Sequence, residues 1–218
     1  MHYVTSDIHN DCERLRALLE KIDLQKDDKL YILGDLFDRS NYNPDPVGVY
    51  FAILELGDKC QVIRGNHEQE LARYILNYFK TKERQRKKQE PYIYNTFELL
   101  LQRLTPVDME NMAKWMLQLP LQMEETINGK KYLFAHAMTA NAKEIHKEEY
   151  YLQGDIGFQE FLKHGVDGYI SICGHTNPNG SHIWSNEKET VILCDCGCGY
   201  RNGKLGCFCI ETGEAIYI

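Results

Sequence analysis

No stretch of this chain is apolar for long enough to cross a membrane, and Met1-His2-Tyr3-Val4-Thr5-Ser6 reads as a strand rather than as a charged head before an apolar run. Neither a membrane span nor a secretory leader is expected, and the expected location is the cytoplasm. Basic charge is not in excess either. Lys and Arg number 25 against 32 Asp and Glu, a formal net charge of −7. That balance argues against general affinity for nucleic acid or for an anionic membrane. It leaves a phosphate-bearing substrate open, because the local charge of a cleft decides that. The chain also lacks a CxxC pair, an internal repeat, a linker and a low-complexity segment. Its eight cysteines, five of them between Cys194 and Cys209, follow CxC spacing and match a zinc ribbon poorly. Without a leader they are expected as reduced thiols. On a strand, alternate residues share a face, so they are expected to pack as small apolar groups.

What is present is the composition of a globular protein, 218 residues with 43% hydrophobic and 26% charged. Short apolar runs end in polar, Gly-containing turns, with helical patterns between them. Strands are expected at 3–6, 30–33 and 61–64. Leu15, Leu18, Leu19 and Ile22, after Asp11, have helical spacing, and 47–56 reads as a second helix. The middle is expected to be helical, at 69–88, 96–104 and 107–117, an insertion of about 69–120. Within it Lys80, Lys82, Arg84, Arg86, Lys87 and Lys88 form a basic stretch, read as a solvated helix end. Further strands are expected at 122–127, 131–135, 169–173, 182–185, 191–194, 206–210 and 215–218. Asn128-Gly129 and Asn202-Gly203 both read as hairpin turns. The alternation is that of α/β layers, expected as one domain over 1–218. His2, His146, His164 and His182 are read as surface or packing residues, and Trp115 and Trp184 as core or interface.

Five segments carry the candidate chemistry, each directly after an apolar strand: Ser6-Asp7-Ile8-His9-Asn10, Gly34-Asp35-Leu36-Phe37-Asp38-Arg39, Arg64-Gly65-Asn66-His67-Glu68, Ala135-His136-Ala137 and Cys173-Gly174-His175-Thr176. Ligand sites of α/β sheets gather at the carboxyl ends of strands, so segments far apart in sequence can meet at one edge. Asp7 and His9, two apart on extended backbone, would project together and grip one ion. Asp35, after a glycine that lets the chain turn, could bridge two ions, and Asn66, His136 and His175 would complete the second. Carboxylate, imidazole and amide donors together suit Mn, Fe, Zn or Ni better than Mg or Ca. Two divalent ions against Asp7 and Asp35 leave a positive hole in a negative protein. Arg39 and Arg64 would add two forks that match phosphate oxygens. On extended backbone, Asn66 and His67 would point to opposite sides. His67 would then be free to protonate a leaving oxygen, with Asp38 to orient it. Each segment alone has an ordinary reading, such as a helix cap beside a core histidine. The ordered set of five does not.

The set resembles the calcineurin-like metallophosphoesterases, and more closely the small bacterial and phage serine/threonine phosphoprotein phosphatases. That family reads GDxHG, GDxVDRG, GNHE, HGG and GH in this order, and the resemblance runs from Tyr3 to about Gly203. The segment Cys194-Asp195-Cys196-Gly197 is similar to the family's late Asp-x-Gly. The resemblance implies a four-layer α/β/β/α sandwich of two mixed sheets. It implies Asp7, His9 and Asp35 on a first metal, and Asp35, Asn66, His136 and His175 on a second. It further implies His67 with Asp38 as proton donor, and Arg39 and Arg64 on the phosphate. Manganese is the expected metal, with Fe, Zn or Ni as alternatives. A water whose pKa the ions lower would attack in line, with no phosphoenzyme. The chain departs from the pattern at Ser6, Asn10, Ser40 and Ala137-Met138, where the family has glycines. It has only Arg201 as an arginine after Arg103. The expected activity is hydrolysis of phosphomonoesters on phosphoserine or phosphothreonine, with a phosphorylated protein as partner. The alternatives are cleavage of a dinucleoside polyphosphate or another nucleotide diester, and a non-catalytic scaffold of the same fold.

Overall fold

The computed structural model of the chain describes residues 1–39, 42–82, 85 and 89–218. The short apolar runs form strands because both of their faces are covered. Strands β1 (His2–Thr5), β2 (Lys29–Ile32) and β3 (Cys60–Val62) run parallel. Strand β9 (Gly206–Cys209) pairs antiparallel with β1 and with β10 (Ala215–Tyr217), giving the order β10-β9-β1-β2-β3. The second sheet takes β4 (Gln122–Ile127), β5 (Lys130–Ala135), β6 (Ile170–Cys173), β7 (Trp184–Ser185) and β8 (Val191–Leu193) in the order β4-β5-β6-β8-β7. Its inner strands β5, β6 and β8 are parallel, and β4 and β7 pair antiparallel at its edges.

The period of two sorts the side chains into layers. Val4, Tyr31, Leu33 and Ile63 point between the sheets and meet Tyr132, Phe134, Ile172 and Ile192. Tyr31 and Phe134 stack at 4.6 Å. The alternate residues Leu30, Ile32 and Val62 face helices α1 (Cys12–Ile22), α2 (Pro46–Leu56), α3 (Asn66–Lys80), α4 (Thr96–Leu101) and α5 (Pro106–Gln118). On the outer face of the second sheet, Cys173, Val191 and Leu193 pack with Met138 and Phe161. Tyr150 of α6 (Glu148–Gln153) and Phe158 of α7 (Phe158–His164) pack against that cluster. The result is the expected four-layer α/β/β/α sandwich. Among the described residues no helix is long and apolar enough to cross a membrane.

Several local expectations need correction. Asn128 and Gly129 take φ of 51° and 78° and close the β4–β5 hairpin, as a two-residue turn of the right twist requires. Asn202 and Gly203 have no positive φ, and their turn leads to the Lys204 bridge rather than joining two paired strands. The hairpin nearby is β9–β10. Cys194, Cys196 and Cys198 lie beyond the end of β8, not on a strand, yet all three are buried and free. Helices α6 and α7 fall in a region whose sequence carries no strong helical period. Helix α3 ends at Lys80, and Arg84, Arg86, Lys87 and Lys88 of the basic stretch lie outside the described residues, as does Ser40.

Candidate metal centre

Each of the five segments leaves the carboxyl end of a parallel strand, and the loops hold one another by backbone hydrogen bonds. Asp7 N donates to Gly34 O (3.0 Å), His9 N to Asp35 O (3.0 Å) and Asn10 N to Leu36 O (2.8 Å). The first loop is therefore not extended as expected. Asp7, His9 and Asn10 are left-handed, with φ of 54°, 50° and 63°, and Asp35, Asp38, Arg39 and His175 are left-handed as well. Such conformations cost a non-glycine residue energy and persist where surrounding contacts over-determine them. Gly34 (φ 88°) is required by close approach: a Cβ there would lie 2.6 Å from Gly65 N. Asn66 and His67 also depart from expectation. They open helix α3 instead of lying on extended backbone, so both can face the same cavity.

Glu68, three residues past the Gly65 N-cap, ties this geometry together. Its buried carboxylate accepts from Asp35 N, Leu36 N and Gly65 N, each at 2.8 Å. Burial and the nearby Asp35 charge push its carboxyl up to about 7. Glu68→Gln would keep one acceptor oxygen and turn an NH2 toward backbone donors. A loss of about 1–3 kcal/mol in folding stability is expected from a buried N–H left without its acceptor. Chemical denaturation of both proteins measures it, and an unchanged midpoint would contradict the role.

The side chains around this frame offer lone pairs to one another with few protons between them. His9 Nδ1 faces Phe37 O at 3.0 Å, which leaves Nε2 aimed at Asp7 Oδ1 (3.8 Å) and Asp35 Oδ2 (4.0 Å). His136 Nδ1 faces Leu33 O (2.6 Å), and its Nε2 meets Asn66 Oδ1 (3.0 Å) and Asp35 Oδ1 (3.3 Å). His175 N donates to Asp7 Oδ2 at 3.0 Å, and Ser6 Oγ donates to the same oxygen. Among the described residues, buried Asp7 Oδ1, Asp35 Oδ2, His67 Nε2 and His175 Nδ1 have no hydrogen-bond partner. Orphaned carboxylate oxygens of Asp7 and Asp35 beside the His175 nitrogen call for cations. Two sets of donor atoms converge within 4.8 Å: His9, Asp35 and His67, and Asp35, His136 and His175. Asp35 belongs to both.

The electrostatics agree. Burial pushes His9 and His175 down to about 4, so both are neutral imidazoles with a free lone pair. Burial, together with Asp195, raises Asp7. Burial opposes ionisation of Asp35 too, but His136, His67 and His9 hold its carboxyl well below the usual range. His136 is pushed the other way: burial lowers it, yet Asp35 and Asp7 bring it up to about 10. A proton there stands where a divalent ion would satisfy the same oxygens. The expected donors Asp7, His9, Asp35, Asn66, His136 and His175 thus lie together and their lone pairs suit divalent cations; His67, expected as the proton donor, converges with His9 and Asp35 as well.

The remaining expected residues divide. His67 Nδ1 contacts Asp38 Oδ2 at 2.9 Å, so its Nε2 points into the site. Arg39 is half-buried beside Tyr94. Arg64 lies buried beside Asn66, but its Nη2 pairs with Glu148 at 3.3 Å, and its Nε has no partner among the described residues. Arg201 is exposed, on the loop after Gly197. Sequence reasoning gave no role to Glu68, Tyr92, Tyr94 or Glu148. The Glu at the third helical position was a readable capping signal; the tyrosines carried none.

The model of the calcineurin-like phosphoesterase family matches residues 3–199. An uncharacterized protein of Methanocaldococcus jannaschii is 32% identical over 135 residues, 62% of this chain and 48% of that protein. A symmetrical bis(5'-nucleosyl)-tetraphosphatase of Enterobacter is 27% identical over 97% of this chain and 70% of its own length. This chain spans less than half the length of the first curated relatives that it matches. Among solved structures, a hypothetical protein from Pyrococcus horikoshii superposes with a TM-score of 0.64 at 20% identity, over 100% of this chain and 87% of the other. A serine/threonine phosphatase from Saccharomyces cerevisiae does so with 0.57 at 14%, over 100% and 78%. These two likenesses speak to the fold. The family match extends over nearly the whole chain and takes in all five segments, and the chain belongs to the calcineurin-like phosphoesterases.

Proposed function

We propose that this metallophosphoesterase hydrolyses phosphomonoesters, phosphoserine and phosphothreonine in proteins first, at a centre of two divalent ions. The observation that carries the reading is the Asp35 carboxylate shared by both donor sets. Manganese fits the donor chemistry, with Fe, Zn or Ni as alternatives. Bound ions would supply Lewis-acid polarisation of the phosphoryl group and acidify a water. The chain's own part is to hold donors and substrate in place. Asp7, His9 and Asp35 would hold one ion, and Asp35, Asn66, His136 and His175 the other. Arg39 and Arg64 would orient phosphate oxygens, Arg64 by exchanging Glu148 for substrate. His67, whose Nδ1 is occupied by Asp38, would present Nε2 to the leaving oxygen and supply its proton.

A second reading, cleavage of a dinucleoside polyphosphate at the same centre, is favoured by the name of the Enterobacter relative, which aligns over 97% of this chain. Manganese-loaded protein offered a phosphothreonine peptide and diadenosine tetraphosphate in parallel separates the two. Peptide dephosphorylation is the expected result. Cleavage of the nucleotide alone would establish the second reading. Turnover of neither, with metal bound, would point to a binding scaffold.

A further inference from the structure

Asp38 is fully buried, and among the described residues no Lys or Arg pairs with it. Among the described residues its Oδ1 has no hydrogen-bond partner, while Oδ2 takes two bonds. One comes from His67 Nδ1 at 2.9 Å, the other from the Tyr92 hydroxyl at 2.6 Å. Tyr92 belongs to the segment Pro91-Tyr92-Ile93-Tyr94, between α3 and α4. Its alternation is clear: Ile93 is 79% exposed, whereas Tyr92 and Tyr94 turn toward the site. The Tyr94 ring lies 5.3 Å from that of His67. Tyr92 packs 5.0 Å from Tyr74 of α3, and the Tyr74 hydroxyl donates to Glu90 O at 3.2 Å, which anchors the segment. Burial and the Asp38 carboxylate push the Tyr92 phenol well up, so it remains a donor.

A carboxylate with both donors on one oxygen cannot rotate without breaking both bonds. Tyr92 thereby fixes the plane of Asp38, and Asp38 fixes the plane and tautomer of His67. We infer that Tyr92 is a positioning residue for proton delivery, its hydroxyl holding Asp38 in the orientation that aims His67 Nε2 at the leaving oxygen. The inference rests on the proton-donor role proposed for His67. It gives the helical insertion a task in the reaction, because this hydroxyl comes from outside the five strand-end segments. Its effect depends on the substrate: a good leaving group departs without a proton, and a poor one needs it delivered.

The test is Tyr92→Phe, which keeps the ring and deletes the hydroxyl. Manganese-loaded wild type and variant are assayed on phenyl phosphate and on p-nitrophenyl phosphate, with His67→Asn beside them. On phenyl phosphate, the poor leaving group, kcat of Tyr92→Phe should fall roughly 10- to 100-fold, as for other supporting hydrogen bonds around a site. On p-nitrophenyl phosphate it should fall less than about threefold. KM and metal content should stay at wild-type values, and the variant should remain folded at the assay temperature. An equal loss on both substrates, no loss on either, or a loss that follows metal content overturns the inference. If His67→Asn itself shows no leaving-group dependence, the proton-donor reading fails. If His67→Asn shows it and Tyr92→Phe does not, the positioning role alone fails.

Discussion

Replacing His67 by Asn should lower kcat by about 10²–10⁴-fold, the usual cost of losing a general acid, while the protein keeps its metal. The geometry sets this expectation against a rival. His67 Nε2 lies 3.8 Å from Asp35 Oδ2 and converges with His9 and Asp35 closely enough to be a ligand itself. Its other nitrogen, however, is engaged by a buried carboxylate, an arrangement that holds a proton-transferring imidazole in one tautomer. Burial alone would lower its pKa, but the Asp38 hydrogen bond together with the charges of Asp35 and Asp38 raises it. A raised pKa favours the protonated ring that a donor needs. Metal analysis beside kinetics decides the matter. Lost activity with full metal content marks a proton donor, whereas lost metal marks a ligand.

Asp35→Asn should have the other large effect, and of a different kind. Asp35 is the carboxylate common to both donor sets, and it also accepts from His67 N at 3.1 Å. An amide offers one oxygen, carries no charge, and would turn its NH2 toward lone pairs. Occupancy of at least one ion should be lost, and activity with it. Several kcal/mol of charge stabilisation at the phosphoryl group correspond to a rate loss of about 10³-fold or more. Two ions per chain after exhaustive dialysis of the variant would contradict the bridging assignment.

These expectations could be written from the sequence because the donors sit in short segments tied to strand ends. Apolar runs such as those at Leu30 and Ile172 announce buried strands, and the residue after such a strand reaches the sheet edge whatever the details of the loop. The placement of Asp7, Asp35, Asn66, His136 and His175 at one sheet edge is legible for that reason. Local conformation is not. Extended backbone was assumed for Asp7 and His9, but Gly34, Asp35 and Leu36 offer carbonyls that the first loop must reach, and only left-handed turns do so. Asn66 and His67 could have been read correctly, since Gly65 with Glu68 three residues later is a helix start. Tyr92 could not: nothing in Pro91-Tyr92-Ile93-Tyr94 says that it lies beside Asp38, because that contact exists only after the insertion has packed. The sequence suggests Arg64 for the phosphate, but no local pattern reveals that Glu148 faces it.

The distribution of donors along the chain also governs the order in which the centre can assemble. Asp7, His9 and Asp35 all belong to the first two strand ends, so these donors are in place once the first sheet's parallel strands have formed. His136 and His175 arrive with the second sheet, which closes only after β6 is in place. During synthesis from the N-terminus, one of the two proposed donor sets is therefore present in a half-built molecule, while the other exists only in the finished one. Were two ions bound as proposed, selection of the second would be postponed until the chain has left little room for choice.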